Sequence, residues 1–485
     1  MPAEGANVAG VGQRVERAIE REAPQWGIRP VPRDQRRLSG FDLSILWGDL
    51  AIGLLVLLSG ALLVPALGLP RALAAIVIGT FAGCLPLALV GLAGAREGVP
   101  TMVLFRPVLG LRGSYVPSAL NIVQLVGWTG FEFWAMSQVA DRMSVRLFGW
   151  SSPWVWLALV AVVCTALALG GPILVVRRWL ERFGAWVVGA VALWITYRVL
   201  SASDLGAMWS RPGTGGLPFW LAVDLVVAQP VSWLPLVADY NRFGRSPRGA
   251  ATGTFWGYAV GNLWFYALGV LLALSAGTAG AGPAGLAQAM ASLAGGWVVL
   301  LTLLVGETDE AFADIYSAAV SSQNLRDRLS QRGAILLVSA AGVALAAWLL
   351  HRPDAGVDDF ESFLFLLGSV FVPLFGVFVA DYFALGRQRH SQSDLFDPPV
   401  RGEGVRWRAV AAWVVGFLVY QWCVATGPAW WQSAMQTVLH SGLHLPYPLA
   451  GSALGASIPS FVAAFGLHLV LSGASRGRAR KRAGR

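Results

Sequence analysis

The stretch GGWVVLLTLLVGETDEAFADIYS, residues 295–317, joins an apolar run suited to the middle of a membrane to four closely spaced carboxylates. A charge buried in hydrocarbon costs about 3 kcal/mol or more unless it has a partner or gains a proton. Two interpretations are open: the helix ends near residue 305 and the acids lie in a cytoplasmic loop, or the helix continues and encloses them. The nearest basic residue is Arg326, which favours enclosed acids. The four carboxylates are Glu307, Asp309, Glu310 and Asp314.

The composition around this stretch is that of an integral membrane protein. Of 485 residues, 56% are hydrophobic and 13% are charged, against roughly 25% charged in a soluble domain. The net charge of +9 comes from arginines in short loops and tails, which indicates membrane topology rather than nucleic-acid binding. The cysteines lie in apolar runs without redox or metal spacing, so we predict neither a disulfide nor a zinc site. They are Cys84, Cys164 and Cys423.

Apolar segments predict twelve transmembrane helices. Loops on one side of them are rich in arginine and those on the other side are poor in it. The positive-inside rule therefore predicts a multi-pass protein of the cell (inner) membrane with both termini cytoplasmic. The first 40 residues have no apolar signal region, so we expect the first span to direct insertion. The predicted spans are 42–68, 71–94, 116–140, 153–175, 184–200, 218–238, 251–277, 287–321, 333–350, 361–384, 407–426 and 450–472.

Helix-breaking residues are concentrated in two of these spans. The first span contains WGDLAIG, residues 47–53, and the sixth contains AQPVSWLP, residues 228–235. Membranes tolerate such interruptions where they line a protein-walled cavity. Their spacing, five spans apart, is typical of an inverted repeat of two five-helix halves with a binding site at the broken helices. The alternative is that these residues only kink the two helices and form no binding site.

The third span, within NIVQLVGWTGFEFW, carries a continuous polar and aromatic face. Its members are spaced at i, i+3, i+7 and i+11, which places them in one row on a helix. An indole beside a carboxylate suits a flat heteroaromatic ring, which stacks on the tryptophan and donates hydrogen bonds from its N–H groups to the acid. The alternative is a polar seam that hydrogen-bonds to a neighbouring helix. The four residues are Asn121, Gln124, Trp128 and Glu132.

A continued helix through the acidic run would sort its side chains by face. Glu307, Glu310 and Asp314 would share one face, while Thr308 and Asp309 would turn toward another. One helix would then serve a substrate and a cation separately.

Other polar residues give weaker signals. Asp49, at the first break, and Asp224, early in the sixth span, are candidates for cation or proton handling. Asp239 lies beside Arg242 and is expected to form an ion pair. Two histidines four residues apart in an outer loop lack a third ligand, so we predict no metal site beyond a sodium ion. They are His440 and His444.

Four segments, in this order, resemble the nucleobase:cation symporter-1 family, which includes cytosine/purine, uracil, allantoin, hydantoin and thiamine-related permeases. GVPTMVLFRPVLGLRGSYVP resembles the approach to the family's third helix, and VADYNRFG resembles the end of its sixth. ADIYSAAVSSQNL resembles its eighth helix and VADYFALGRQ its tenth. The resemblance runs from about residue 40 to 390 and is specific as an ordered set.

The resemblance implies an all-α integral membrane fold of LeuT-like type, with a 5+5 inverted repeat plus two C-terminal helices, that works by alternating access. It implies uptake of a small nucleobase-like molecule driven by H+ or Na+, without enzymatic activity, cofactor or obligatory protein partner. The expected domains are a cytoplasmic tail at 1–40, a transporter core at 41–390 with halves at about 41–200 and 218–390, two additional helices at 391–472 and a basic tail at 473–485.

Individual roles also follow from the resemblance. Trp128 corresponds to the stacking tryptophan of the third helix, and Glu132 to a position where a glutamine often holds the substrate. Asp314 corresponds to a substrate-binding asparagine of the eighth helix. Thr308 and Asp309 align with two hydroxyl residues that bind sodium in sodium-coupled members.

The sixth span departs from the family pattern. Pro230 stands where many members have a second stacking aromatic, so Trp233 or Gln229 is expected to take over that role. The predicted substrate-binding residues are Trp128, Glu132, Asn121, Gln124, Gln229, Trp233 and Asp314. The predicted cation-binding residues are Asp49, Ala51, Thr308 and Asp309.

Carboxylates therefore replace two amides and one hydroxyl of the family pattern. Buried acids that take up protons near neutral pH favour proton coupling, yet an acid also binds sodium directly or contacts an amino-substituted ring. We expect an aminopyrimidine, cytosine or hydroxymethylpyrimidine, ahead of purines, with allantoin and hydantoin as alternatives.

Two other classes of protein are weighed against a symporter. A polytopic membrane enzyme would use the acidic cluster for catalysis, and would need a second His or Asp cluster or a large soluble loop, neither of which the sequence contains. A transporter-like sensor would bind without accumulating its ligand.

Overall fold

The computed structural model describes residues 27–170, 185–277, 282–293, 295–326, 328–352, 356–386, 390, 392–396, 404–446 and 454–483. Some sequence predictions lie outside these ranges. They concern most of the N-terminal tail, the end of the fourth predicted span with the arginine-rich loop after it at 171–184, and the start of the last predicted span at 450–453.

The described chain is helical, and its isolated parallel bridge joins Leu38 to Gly244. The principal helices, numbered in chain order, are α1 (Gly40–Asp49), α2 (Leu54–Ala61), α3 (Leu69–Glu97), α4 (Tyr115–Phe148), α5 (Pro153–Gly170), α6 (Ala185–Ala202), α7 (Phe219–Ser232), α8 (Val237–Asn241), α9 (Pro247–Ala276), α10 (Gly282–Ser292), α11 (Gly296–Leu325), α12 (Gln331–Leu350), α13 (Gly356–Val379), α14 (Trp407–Cys423) and α15 (Ser457–Ala483). Shorter helices lie at Arg33–Gln35, Thr101–Leu104, Arg106–Leu109, Leu205–Ser210, Gln392–Phe396 and Ala429–Gln436, and π-helical turns at Ala380–Leu385 and Thr437–Gly442.

Six described segments are long and apolar enough to cross a membrane: α3, α5, α7 with α8, α9, α12, and α13 with the turn after it. The bent pair α1 and α2 makes a seventh. The helices that carry the polar face and the acidic run, α4 and α11, have 34 and 30 residues. Length and composition thus indicate a multi-pass membrane protein, while the count of twelve spans and the five-helix repeat stay predictions.

The two predicted breaks differ in shape. In the first span, α1 ends at Asp49, α2 begins at Leu54 and the two axes differ by 58°. In the sixth span, α7 ends at Ser232 and α8 begins at Val237, yet both helices together form one candidate span of 23 residues. The first break therefore redirects the chain, whereas the second interrupts the helix with a smaller bend.

The predicted eighth span is wrong at its N-terminal end. Residues 287–321 belong to two helices, because α10 ends at Ser292 and α11 begins at Gly296. Gly295 between them has φ +74°, a left-handed conformation that favours glycine because other residues carry a Cβ atom. The acidic run therefore belongs to a helix that starts later than predicted.

Glycines of α9 bring the broken first span close. A Cβ atom on Gly261 would lie 2.6 Å from the carbonyl oxygen of Gly48 and 2.8 Å from the Cβ atom of Ala51. Small residues allow such approach between helices in a membrane, where van der Waals packing drives association. The contact holds the backbone of the break against α9.

Candidate substrate and cation site

The acidic run lies inside a helix. α11 extends from Gly296 to Leu325, so residues 306–310 are helical and the loop interpretation is wrong. Glu307, Glu310 and Asp314 are each no more than 5% exposed. The carboxylates are thus enclosed by protein.

Glu307 closes the break of the first span. Its Oε2 accepts a hydrogen bond from the backbone N–H of Leu54 (2.6 Å), and its Oε1 accepts one from Leu55 (3.4 Å). These are the first amides of α2, which have no partner within their own helix. The helix N-terminus also carries partial positive charge, which favours a carboxylate. Glu307 is therefore a helix cap supplied by a distant helix.

Gly53 allows this contact. A Cβ atom on Gly53 would lie 3.0 Å from Oε2 of Glu307 and 2.9 Å from the carboxyl carbon of Glu310. A side chain at this position would push both acids of α11 away from the break. Gly53 thus allows the carboxylates of Glu307 and Glu310 to approach the backbone of the break closely.

Glu132 of α4 faces the acids of α11. Its carboxyl group lies within hydrogen-bonding reach of that of Asp314, and Glu310 and Glu307 also act on it electrostatically. Two carboxylates can share a hydrogen bond only through an added proton. Without one, both oxygens of Glu132 and Oε1 of Glu310 are buried with no donor. We call Glu132, Glu310 and Asp314 the substrate-side acids.

Trp128 supplies an aromatic face one turn before Glu132. The side chain is buried and its indole N–H has no hydrogen-bond partner. Phe360 and Phe363 of α13 meet it edge-on, with ring centroids 5.9 and 5.3 Å away and interplanar angles of 76° and 74°. The tryptophan is thus held by edge contacts and has one free donor, a setting suited to a flat polar ligand.

The two amides of the α4 face join helices together. Asn121 Nδ2 donates to Oγ of Ser321 (2.7 Å), and Gln124 Nε2 donates to Oδ1 of Asn121 (2.8 Å) and to the carbonyl of Ser232 (2.9 Å). Oε1 of Gln124 has no donor. These hydrogen bonds to neighbouring helices are the ones expected of a polar seam. The substrate-binding role of Asn121 and Gln124 stays a prediction.

Asp49 and Asp309 form a second acidic pair at the break. Asp309 is the charged group that acts on Asp49, and Oδ1 of Asp309 is buried without a donor. Ala51 is fully buried between the two half-helices, and among the described backbone hydrogen bonds none reaches its carbonyl oxygen. Carboxylate and carbonyl oxygens are ligands for a hard cation, and the acids also accept protons. We call Asp49, Ala51 and Asp309 the cation-side set.

Thr308 stands apart from both groups of acids. It is partly exposed, and its hydroxyl donates to the carbonyl of Val305 in its own helix (2.6 Å). The bond leaves the hydroxyl lone pairs available, so the predicted cation contact stays a prediction.

The sixth span brings two further predicted residues into the protein interior. Oε1 of Gln229 is buried without a donor. Trp233 packs edge-on against Trp47, at 5.9 Å between centroids, and Trp47 Nε1 donates to Oδ1 of Asn241 (2.8 Å). Trp233 thus belongs to an aromatic cluster shared with the first span.

Asp224 and Asp239 bind helix N-termini. Asp224 accepts hydrogen bonds from the backbone of Ala456 (2.6 Å) and Ser457 (3.1 Å) at the start of α15, so it caps that helix, and the predicted ion handling stays a prediction. Asp239 accepts one from the Thr101 backbone (3.0 Å). Arg242 donates its Nε–H to the backbone carbonyl of Asp239 (3.0 Å), so the expected carboxylate ion pair is replaced by a cap.

Several residues of the site were missed by sequence reasoning. Phe360 and Phe363 are spaced for one helix face, but no pattern says which helix that face meets. Gly53 and Trp47 lay within the predicted break without an assigned role. His440 contacts the carbonyl of Leu445, and no group of three or more His, Cys, Asp or Glu in the described ranges is arranged to hold a metal ion.

Comparison with known proteins gives a consistent result. A family model described as a permease for cytosine/purines, uracil, thiamine and allantoin matches residues 30–447. The hydantoin permease of Microbacterium maritypicum is 23% identical over 415 residues, which cover 80% of this chain and 82% of the relative. The purine-uracil permease NCS1 of Arabidopsis thaliana is 24% identical over 431 residues, which cover 81% and 70%.

The fold also has a solved counterpart. Mhp1, described as a nucleobase-cation-symport-1 family transporter, in a closed conformation with bromovinylhydantoin bound, aligns with a TM-score of 0.73 over 94% of this chain and 96% of its own, at 20% identity. A helical multi-pass bundle of this fold, with relatives that are permeases, defines a membrane transport protein and not an enzyme. The chain belongs to the family of permeases for cytosine/purines, uracil, thiamine and allantoin.

Proposed function

We propose that the chain is a secondary active transporter that imports a nucleobase or related nitrogen heterocycle across the cell (inner) membrane, in symport with a cation. An aminopyrimidine such as cytosine is the leading substrate class, ahead of purines. The transporter works by alternating access, with both termini cytoplasmic and without a cofactor or an obligatory protein partner.

One observation carries the proposal. Trp128, with a free indole N–H, lies one helical turn from Glu132, whose two oxygens are buried without a donor and face Asp314. A flat ligand ring stacked on the indole would direct the ligand's N–H groups toward the acids, because stacking fixes the plane in which the edge of the ligand ring lies. Amino-substituted rings offer the donors that these carboxylates lack.

The cation enters the proposal through the cation-side set. Asp49, Ala51 and Asp309 offer oxygens at a break of the first span, beside the substrate-side acids of the same helix α11. Binding of a cation there, H+ or Na+, would lower the repulsion among the acids and favour entry of the substrate. The break also gives the first span a point about which its halves can reorient.

Transport into proteoliposomes tests the proposal. We expect radiolabelled cytosine to accumulate under an imposed proton gradient or an imposed sodium gradient, and accumulation to fail after Glu132→Ala. Unlabelled purines, uracil, hydantoin and hydroxymethylpyrimidine serve as competitors that rank the substrate class. Absence of uptake and of competition-sensitive binding for every heterocycle would overturn the proposal.

A second substrate candidate has its own support. One relative is named a hydantoin permease and another an allantoin permease, so a five-membered cyclic amide is the alternative within the same fold. Hydroxymethylpyrimidine is the alternative among aminopyrimidines. Competition that favours hydantoin over cytosine would select the first of these.

A further inference from the structure

One face of α15 changes from apolar to polar along its length. Phe461, Phe465, His468 and Ser472 are spaced at i, i+4, i+7 and i+11, so they lie in one row on the helix. α15 packs against α13 and α14, and a cavity lies beside each half of the row. Neither cavity contains a substrate-side acid or a member of the cation-side set.

The first cavity is apolar and has a volume of about 460 Å³. It lies between α3, α7, α13 and α15, and its polar lining residues, Asp224 and Ser457, are joined by a hydrogen bond. Ala82 and Ile458 line it and are exposed, so the cavity opens at the protein surface. Inside a membrane, such a surface faces lipid chains. Its apolar lining includes Ala82, Val227, Val379, Ile458, Phe461 and Phe465.

The second cavity is polar and has a volume of about 380 Å³. His468 of α15 lines it together with Asp381, which lies in the π-helical turn after α13, and with three residues at the start of α14. One of these three, Trp407, is 73% exposed, which is typical of a tryptophan at the boundary between membrane and water. The other two are Arg406 and Arg408.

The two arginines give this cavity an excess of positive charge. The guanidinium of Arg406 donates to the carbonyl of Pro107, which fixes its position. Arg408 is exposed and forms no ion pair with a described residue. Asp381, the acid of the lining, contacts Nε2 of His468 through its Oδ1 (3.1 Å). The negative charge of the cavity is thus engaged by histidine, while both arginines are left to an anion.

His468 supplies a further polar atom. The residue is 2% exposed, and its Nδ1 has no hydrogen-bond partner among the described residues. Because a carboxylate only accepts hydrogen bonds, Nε2 holds the proton in the contact with Asp381. Nδ1 is therefore left for a group from outside the described chain, and in a doubly protonated ring it donates to an anion.

We propose that the two cavities form one binding site for an anionic phospholipid. Its phosphate binds to Arg406 and Arg408 beside His468, and an acyl chain lies along the apolar cavity. Guanidinium groups match phosphate oxygens in charge and geometry, and basic pockets between membrane helices bind anionic lipid headgroups. The site goes beyond the proposed transport function, because it is separate from the substrate and cation residues.

The dimensions of the site fit a lipid of one leaflet. Ten residues of helix separate Ile458 from His468, a rise of about 15 Å, which is half of a hydrocarbon core of about 30 Å. The polar end of the row leads into the basic tail at 473–485, which the positive-inside rule assigns to the cytoplasm. The headgroup would thus lie in the cytoplasmic leaflet, where anionic lipids are found.

Matched lipids test the inference on the full-length protein. Dioleoylphosphatidylglycerol and dioleoylphosphatidylcholine have the same acyl chains and differ in headgroup charge. Native mass spectrometry in detergent is expected to show the phosphatidylglycerol binding about tenfold more tightly or better. Glycerol 3-phosphate and inorganic phosphate lack an acyl chain, so each is expected to compete at least about a hundredfold less effectively.

Variants locate the two ends of the lipid. Arg408→Gln removes one positive charge, so the preference for phosphatidylglycerol is expected to fall about fivefold. Arg248→Gln removes the charge of an exposed arginine of α9 outside both cavities and is the matched control, which is expected to keep the wild-type ratio. Ala82→Phe fills the apolar cavity, so it is expected to weaken both lipids about tenfold and to leave their ratio unchanged.

The outcomes distinguish a lipid from a free phosphate. Equal binding of the two lipids to the wild-type protein would overturn the inference, as would a preference that Arg408→Gln leaves intact. Competition by inorganic phosphate as strong as that by phosphatidylglycerol, with no effect of Ala82→Phe, would show a phosphate site without an acyl chain and would also overturn it. If Arg408→Gln fails to fold, the wild-type ratio and Ala82→Phe still decide the question. Cytosine uptake is measured separately, so its absence would overturn the proposed function and leave the lipid site standing.

Discussion

Asp224 and Glu132 are both carboxylates of predicted membrane spans and both are almost fully buried, at 2% and 1% exposure. Asp224 accepts two backbone hydrogen bonds at the start of α15, whereas both oxygens of Glu132 lack a donor. The surroundings of an acid, more than its depth, therefore separate a carboxylate that caps a helix from one whose oxygens have no donor in the described part of the chain. Removing each charge should therefore have opposite effects on the unfolding free energy.

The largest loss of stability is expected at the cap of the broken span. Glu307→Ala leaves the buried amides of Leu54 and Leu55 without an acceptor, because these first amides of α2 have no partner in their own helix. We expect a loss of about 2–5 kcal/mol in unfolding free energy, together with loss of uptake. Thermal unfolding of the purified protein in detergent measures the first effect.

Glu307→Gln is the control for this prediction. The amide keeps one acceptor oxygen and the side-chain length, so about half of the loss should be recovered. Equal stability of Glu307→Ala and the wild-type protein would show that the contact with α2 contributes nothing and would break the distinction between capped and uncapped acids.

The opposite sign is expected at Glu132. Glu132→Gln removes a buried charge that has no donor, and replacing an uncompensated charge by a neutral group often stabilises a protein. We expect the unfolding free energy to rise by about 1–3 kcal/mol while cytosine uptake falls. A variant that loses both stability and uptake would instead indicate a structural partner for this carboxylate.

A smaller loss is expected at Asp224. Asp224→Asn keeps an acceptor for the amides of Ala456 and Ser457 but removes the charge that favours a helix N-terminus. We expect a loss of about 1–2 kcal/mol with uptake retained. Proton-driven or sodium-driven uptake that vanishes in a well-folded Asp224→Asn protein would support the ion-handling role that the sequence predicts for this residue.

Local patterns explain which parts of this site were predictable. The break at residues 47–53 follows from two glycines around an acid, and the α4 face follows from spacing at i, i+3, i+7 and i+11. The permease family was also predictable, because its motifs recur in a fixed order along the chain, and the family match confirms it.

Contacts between distant helices were not predictable in the same way. Glu307 caps an amide 253 residues away in sequence, and Phe363 meets Trp128 from α13. Asp224 and Glu132 are both lone acids in apolar surroundings, and periodicity carries no information about which helix end lies opposite each. The difference between them is tertiary, so a single sequence cannot express it.

The smallest effect is expected at Thr308, whose hydroxyl already bonds to the carbonyl of Val305. Thr308→Val keeps the side-chain shape, so the unfolding free energy should change by no more than about 0.5 kcal/mol. The hydroxyl lone pairs stay available to a cation, and their loss should raise the sodium concentration for half-maximal uptake about threefold. Proton-driven uptake of the same variant is the internal control, because the protonated acids need no hydroxyl ligand. Uptake unchanged under both gradients would exclude Thr308 from the cation site and leave coupling to Asp49 and Asp309. The functional groups at this break would then be carboxylates, as at Glu132, and Asp309 shares with Glu132 a buried oxygen that has no donor.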